Sequence, residues 1–411
     1  MDREIVNSAV AIAIALLDIV AIAMAFWRSH GVERTLMWIF AILAFPGVGA
    51  LSFFFLANPY VKRTIRRKSR AALMVRDKAR RPAGGSPDSQ PLFNLAAALT
   101  SFAPAKGNRV ELLGDNETEL GEAARVIAGA QKFVWVEYYI IKRDETGLFF
   151  LRLLAERARA GVEVKLLYDA VGSMGLEEFL SPIVEAGGKV EAFHPVNPLR
   201  KRWSVHLRNH RKLIVVDGKV GLTGGMNVGD EYTGIAKRRG GPYFRDLQLL
   251  VEGPAVADLC EIFAEDWSFA TDEALLDPVE PSTAAGYTAN VAVTPSGPDQ
   301  EVNASALLYF GGICAAKERI FLTSPYFIPD EPTLRALICA SLRGVDVRIL
   351  IPQRCDVPLV GAAGRSYFAE LLAAGVRIFH YQPAMLHSKT MAVDSRWSFV
   401  GSANLDMRSF R

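Results

Sequence analysis

His210-Arg-Lys212-Leu-Ile-Val-Val-Asp217 decides how the rest of the chain is read. His210 and Lys212 stand two positions apart and lead into the apolar run Leu213 to Val216. On a strand, residues i and i+2 share a face, so the imidazole and the ammonium project into one cleft. Asp217-Gly218 is a strong hairpin signal. A two-residue turn there sets Val216 opposite Lys219, Lys212 opposite Thr223 and His210 opposite Gly225. The returning run, Val220 to Asn227, brings Asn227 back beside His210. Asp217 stays at the far end of the hairpin, roughly 17 Å from the imidazole, where it shapes the turn.

The pattern occurs twice. His387-Ser-Lys389 is followed by Thr390 to Val393, then Asp394, then Gly401-Ser402-Ala-Asn404. Both copies read H-x-K-x4-D-x6-G-[GS]-x-N. A specified position matches by chance about one time in twenty, so two full copies are not a coincidence of surface residues. The surroundings repeat as well. Lys132 to Ile141 reads as a buried strand, Leu148 to Ala160 as a helix ended by Gly161, and Val162 to Tyr168 as a strand. Arg319 to Tyr326, Thr333 to Arg343 and Gly344 to Ile351 have the same grammar. His210 lies 49 residues after Gly161, and His387 lies 43 after Gly344. Strand, helix, strand implies a right-handed crossover in a largely parallel sheet, here present in two copies.

The duplicated motif resembles the phospholipase D superfamily, and the wider resemblance is to bacterial cardiolipin synthases over nearly the whole chain. Smaller stretches carry the second statement: Val136-Glu-Tyr-Tyr139, Asp169-Ala-Val-Gly-Ser173, Arg245-Asp246, Gly253-Pro-Ala-Val256, Asp266-Trp267, Ser324-Pro-Tyr-Phe-Ile-Pro-Asp330 and Arg365-Ser-Tyr367. The resemblance implies an α/β fold of two phospholipase D-like lobes, each a mixed sheet flanked by helices, with one site between them. The expected boundaries are a transmembrane hairpin over 1–60, a basic segment and linker over 61–95, and repeats over 96–275 and 276–411.

The hairpin is read from composition. Half of the 411 residues are hydrophobic, and the excess sits at the start. Ile5 to Trp27 and Leu36 to Ala57 are apolar runs long enough to cross about 30 Å of hydrocarbon as helices. A cleaved signal peptide fits poorly, because the first four residues carry no net positive charge and the apolar run is too long. Asp18, costly in lipid, is placed at an interface or against the partner helix. Between Val61 and Arg81 stand ten Lys or Arg and one acid, Asp77. The positive-inside rule puts that segment and all that follows in the cytoplasm, so a bacterial inner-membrane protein is expected. The net charge of +3 is therefore local, and the rest of the chain is net acidic. That speaks against a nucleic-acid surface. Cys260, Cys314, Cys339 and Cys355 lack metal or disulfide spacing.

A phosphodiester is shielded by its own charge, so a site without metal supplies cations, a nucleophile and a leaving-group acid. Two histidines divide the last two tasks through a phosphohistidine. Lys212 and Lys389 neutralise the non-bridging oxygens, with Asn227 and Asn404 as neutral donors and Gly225 and Ser402 as supports. Asp217 and Asp394 complete the motifs. No metal or cofactor is expected. The resemblance makes His210 the nucleophile and His387 the acid/base, although the symmetry of the two copies leaves the exchange of roles open. It also makes Asp246 the carboxylate that orients His210. His206 reads as structural, while Arg200-Lys-Arg202 and Lys237-Arg-Arg239 are candidates to rim an anionic-lipid entrance.

The expected function is transfer of a phosphatidyl group from one phosphatidylglycerol to another, with glycerol released. A membrane phospholipase D hydrolase, another phosphatidyltransferase, a nuclease and an inactive scaffold are the alternatives. The sequence sets no oligomeric state. Leu405 to Arg411 leaves no room for a second counterpart of the strand that begins near Asp246, so the chain is read as a truncated product or fragment.

Overall fold

The computed structural model describes residues 2–28, 32–56, 91–100, 102–114, 116–193, 208–275, 286–296 and 303–406. The basic segment, most of the linker, His206 and the run Arg200–Arg202 lie outside them. The chain divides into two units, Met1–Thr64 and Ile65–Arg411.

In the first unit, the helix Asp2–Arg28 contains the 23-residue apolar stretch Ile5–Trp27, the one helix among the described residues long and apolar enough to cross a bilayer. The second apolar run is not one continuous helix. It forms two helices, Val32–Ala44 and Val48–Leu56, of 13 and 9 residues. Pro46 has no amide to donate, and Gly47 takes a left-handed φ of 75°, so the helix stops and restarts there. The freed Gly47 amide donates to the Asp18 carboxylate at 2.9 Å. Asp18 of the first helix thus caps the chain where the second run breaks, and Ala21, Ala25, Ile42, Ala50 and Phe53 form the core of this unit.

The second unit carries both repeats. The first builds β1 (Ala105–Leu113), β2 (Phe133–Tyr138), β3 (Glu163–Asp169), β4 (Lys189–Phe193), β5 (Lys212–Val216), β6 (Val220–Gly224), β7 (Phe244–Arg245), β8 (Gln248–Glu252) and β9 (Ala289–Val291). The second builds β10 (Arg319–Thr323), β11 (Phe327–Ile328), β12 (Asp346–Pro352), β13 (Arg377–Tyr381), β14 (Met385–Leu386), β15 (Thr390–Val393), β16 (Trp397–Val400) and β17 (Leu405–Asp406). The larger sheets run β4-β3-β2-β5-β6-β8-β1-β9 and β13-β12-β10-β15-β16. Five strands of the first repeat the second in order and direction: three are parallel, and the hairpin that follows the H-x-K triplet is antiparallel.

The parallel strands need crossover helices, supplied by Glu145–Arg159 and Glu331–Leu342. Asp144 and Asp330 cap their first turns through Gly147 N and Thr333 N. β2 is buried on both faces. Val134 and Val136 face one core with Leu154 and Leu166, and Trp135 faces the other with Phe263 and Trp267. The helix Pro91–Leu99, which straddles the expected linker boundary, packs on the second repeat. Its Phe93 ring lies 5.0 Å from Trp397, and Leu92 and Leu95 lie over Gly311.

The hairpin register differs from the expected one by a residue. Val216 pairs with Val220 and Leu213 with Thr223, so the loop has three residues. Asp217 and Gly218 both have positive φ, and Lys219 N donates to Val216 O, but pairing resumes one residue later. The second copy has the same loop, with Val393 opposite Trp397 and Asp394 and Ser395 at positive φ.

Candidate active site

The acids at the ends of the two motifs lie at the tips of their hairpins. Asp217 accepts the amides of Gln131, Lys132 and Phe133 at 2.9, 2.7 and 2.9 Å. Asp394 does the same for Lys317, Glu318 and Arg319 at 2.8, 2.8 and 2.9 Å. Each carboxylate fixes its hairpin tip to the chain entering the neighbouring strand, β2 or β10. Burial alone would raise the Asp394 carboxyl, but those three amides hold it below its ordinary range. Neither acid is hydrogen-bonded to a histidine among the described residues.

The chemistry gathers at the other end. β14 pairs in parallel with β7, setting Met385 beside Phe244 and Leu386 beside Arg245. His387 N then donates to Arg245 O at 2.7 Å. This short inter-repeat ladder brings Asp246, the residue after β7, to His387. Nδ1 of His387 lies 2.6 Å from Asp246 Oδ2, and Lys389 Nζ lies 3.4 Å from the same oxygen. The carboxylate expected to orient His210 therefore orients the histidine of the other repeat. Gly225 makes room for it, because a Cβ there would sit 2.2 Å from Asp246 Oδ1.

Two aromatics complete this side. The Tyr232 hydroxyl lies 3.4 Å from His387 Nδ1 and accepts from Asn227 Nδ2 at 3.0 Å. The Phe244 ring lies against the imidazole at 5.7 Å. Oδ1 of Asn227 and of Asn404 are buried without a protein partner among the described residues, as suits groups that meet a substrate. Ser402 is half-buried in the loop between β16 and Asn404.

His210 is held differently. It is exposed and stacks on Tyr139, with centroids 3.9 Å apart and planes inclined by 18°. Lys212 Nζ reaches back to His210 O at 2.7 Å and lies over the same tyrosine ring. Lys389 repeats that bond with His387 O. Tyr139 stood in a quoted stretch without a role, and Tyr232 was missed. Its one signal is its position five residues after Asn227.

The cations are strongly perturbed. Burial, followed by repulsion from Lys389, pushes Lys212 down to about 7, against the pull of Asp246 and Asp169. Burial likewise takes Lys389 down to about 8, opposed by Asp246. Burial and Lys389 lower His387, which Asp246 partly offsets. Burial would raise Asp246, but Lys389 and His387 hold its carboxyl below the usual value. Two buried lysines, one carboxylate and the His387 imidazole thus converge, with His210 two residues from Lys212, where a single phosphodiester would relieve the excess positive charge. Of the basic residues at the expected entrance, Arg239 pairs with Glu145 at 2.7 Å, and Lys237 lies over Tyr243.

The family described as cardiolipin synthase, PLD-like domain, matches residues 123–267 and 311–411, one block around each motif. The chain belongs to this family. It is 38% identical to the cardiolipin synthase of Geobacillus kaustophilus over 389 residues, 92% of this chain and 77% of that one. Identity to the enzyme of Alkalihalophilus pseudofirmus is 36% over 94% of this chain and 79% of the relative. It is 42% to cardiolipin synthase A of Pseudomonas aeruginosa over 76% of this chain and 64% of the relative. The fold is shared with phosphatidylserine synthase of Haemophilus influenzae, at a TM-score of 0.55 and 16% identity over 78% of this chain and 84% of that one.

Proposed function

We propose that this phosphatidyltransferase makes cardiolipin from two molecules of phosphatidylglycerol through a phosphohistidine on His210. The observation that carries the reading is the contact between repeats at 2.6 Å, where Asp246 of the first holds His387 of the second. One site then needs both motifs, as a two-step transfer at one phosphorus does. In the first step a nitrogen of His210 bonds to phosphorus while the bond to the glycerol oxygen breaks. His387 gives that oxygen its proton. In the second step the hydroxyl of another phosphatidylglycerol loses its proton to His387 as its oxygen bonds to phosphorus, and the P–N bond breaks.

The environments suit these parts. His210 is exposed on its tyrosine ring and open to an approaching phosphorus. His387 is held at Nδ1 by Asp246, and its Nε2, 3.3 Å from Lys389 Nζ, is the nitrogen assigned to proton transfer. Burial favours its neutral form, and an incoming phosphodiester's negative charge favours the proton. Lys212 and Lys389 flank the non-bridging oxygens, and Asn227 and Asn404 offer their amides. The apolar helix Ile5–Trp27 and the basic segment after it support an inner-membrane enzyme with its lobes in the cytoplasm.

The full chain is incubated in lipid vesicles with phosphatidylglycerol labelled in its phosphate. Cardiolipin and free glycerol are expected in equal amounts. Acid and base quenching is expected to reveal an acid-labile, base-stable phosphoprotein. Phosphatidic acid as the sole product would mean a hydrolase, and no labelled protein during turnover would rule out the covalent intermediate.

A further inference from the structure

A second cleft opens beside the site, over the carboxyl ends of β10, β12 and β13, where open α/β sheets bind ligands. Its empty volume is about 420 Å³ including its mouth, and Tyr326, Cys355, Val360, Arg365, Phe368 and His380 are among its walls. One wall is the helix Pro358–Arg365, brought close to β11 because a Cβ on Gly364 would lie 2.8 Å from Phe327 O.

Arg365 is the arginine in its lining. Arg335 is paired with Glu331 and Glu370, and Arg348 and Arg377 with Asp346, while Arg354 and Arg396 have no such pair among the described residues. Arg365 is exposed and bonds no carboxylate among the described residues. Its Nη1 lies 4.0 Å from the position a Cβ would take on Gly361, so the guanidinium extends over a floor that the glycine leaves open. His380 lines the same cleft and bonds no acid among the described residues. The inner wall leads to the chemistry. Tyr326 donates to Asp356 at 2.9 Å, the Asp356 carboxylate acts electrostatically on Lys389, and Tyr326 acts in the same way on Tyr232, which touches His387.

We propose that this cleft binds the anionic head group of the acceptor lipid, with Arg365 as counter-charge to its phosphodiester and the Tyr326–Asp356 pair receiving the attacking hydroxyl. The inference rests on the transfer reading above. In that reading His387 deprotonates the acceptor, so the acceptor must approach from the His387 side, and one wall of the cleft, Phe327, pairs with Leu405 next to Asn404 of the second motif. A free guanidinium at its mouth matches a phosphodiester in charge and in its paired oxygens.

Two measurements on the full chain test it. Alkylation of Cys355, followed residue by residue, reports occupancy without turnover, with the exposed Cys314 and Cys339 as internal controls. Glycerophosphoglycerol, the soluble head group, is expected to slow Cys355 alkylation in the wild type and not in Arg365→Gln. In turnover, Arg365→Gln is expected to raise the KM for acceptor phosphatidylglycerol about tenfold, the scale of a lost charge-assisted hydrogen bond. Exchange of labelled free glycerol into phosphatidylglycerol uses the same intermediate with a neutral acceptor and is expected to be unchanged. Loss of that exchange would make Arg365 a donor-side or structural residue and overturn the proposal. Protection of Cys355 that survives the substitution, or an unchanged KM, would overturn it too. A wild type that forms no cardiolipin yet shows Arg365-dependent protection would sink the transfer reading and the acceptor role with it, and leave the head-group site standing.

Discussion

The two histidines share a motif and differ in almost everything around it. His387 is nearly enclosed, with Asp246, Tyr232 and Phe244 of the other repeat on its ring. His210 is exposed and lies flat on Tyr139 of its own repeat. Duplication therefore gave two equal triplets that the fold made unequal. One imidazole is held at one nitrogen by a buried carboxylate, as a group that shuttles a proton must be. The other presents its edge. Sequence symmetry is a poor guide to role because the distinguishing contacts come from outside each motif.

The widest break of that comparison is to remove each histidine in turn. With one shared site, His210→Ala and His387→Ala each cost at least about 10⁴-fold in transfer, measured as cardiolipin formed per enzyme. About half the activity left in either variant would mean two independent sites and end the shared-site account. Next in size is Asp246→Asn, for which a loss of about 10³-fold is expected. Combined with His387→Ala it should cost little more than the histidine alone, whereas combined with His210→Ala the residual transfer should fall further. The reverse pattern would return Asp246 to His210.

A smaller effect concerns the cations. Lys212 and Lys389 lose charge as pH rises past about 7 and about 8. Sulfate, a dianion throughout this range, should therefore bind the free enzyme about tenfold more weakly per lysine charge lost, and calorimetry reads this directly. A flat profile would remove the lysines from anion binding. The smallest change in rate is expected for Asp217→Asn and Asp394→Asn, with turnover within about twofold of the wild type. Their effect falls on stability, about 2 kcal/mol for a damaged set of charge-assisted bonds, read by denaturant unfolding. The Asp394 carboxyl is held below its unfolded value, so its contribution is present above the ordinary carboxyl range and is lost as pH falls through it.

Both motifs, the duplicated strand–helix–strand units and the site's position at the hairpin mouths could be read from the sequence, because periodicity and spacing are local. The misreadings share a cause. Asp246 was given to His210 by resemblance, as a carboxylate past the glycine-rich return strand, but the β7–β14 pairing that sets it beside His387 joins residues 141 apart. The hairpin slipped by one because Asp217 spends its carboxylate on β2's entry, and no pattern within the hairpin shows that. The broken second apolar run was legible: Pro46-Gly47 stood in it, and hydropathy was allowed to outweigh a missing amide. Tyr232 had no signal beyond its distance from Asn227.

The ladder between β7 and β14 also sets a clock. Asp246 leaves the ribosome 141 residues ahead of His387, a lag of roughly 7 to 28 s at bacterial elongation rates. During that interval the first repeat already carries Lys212 and His210 beside a membrane full of phosphodiesters. On the proposed mechanism it lacks the proton donor and the second cation, so a nascent chain still being synthesised would not cut the lipids around it. The site is complete only when the second half of the message has been translated and β14 has paired with β7.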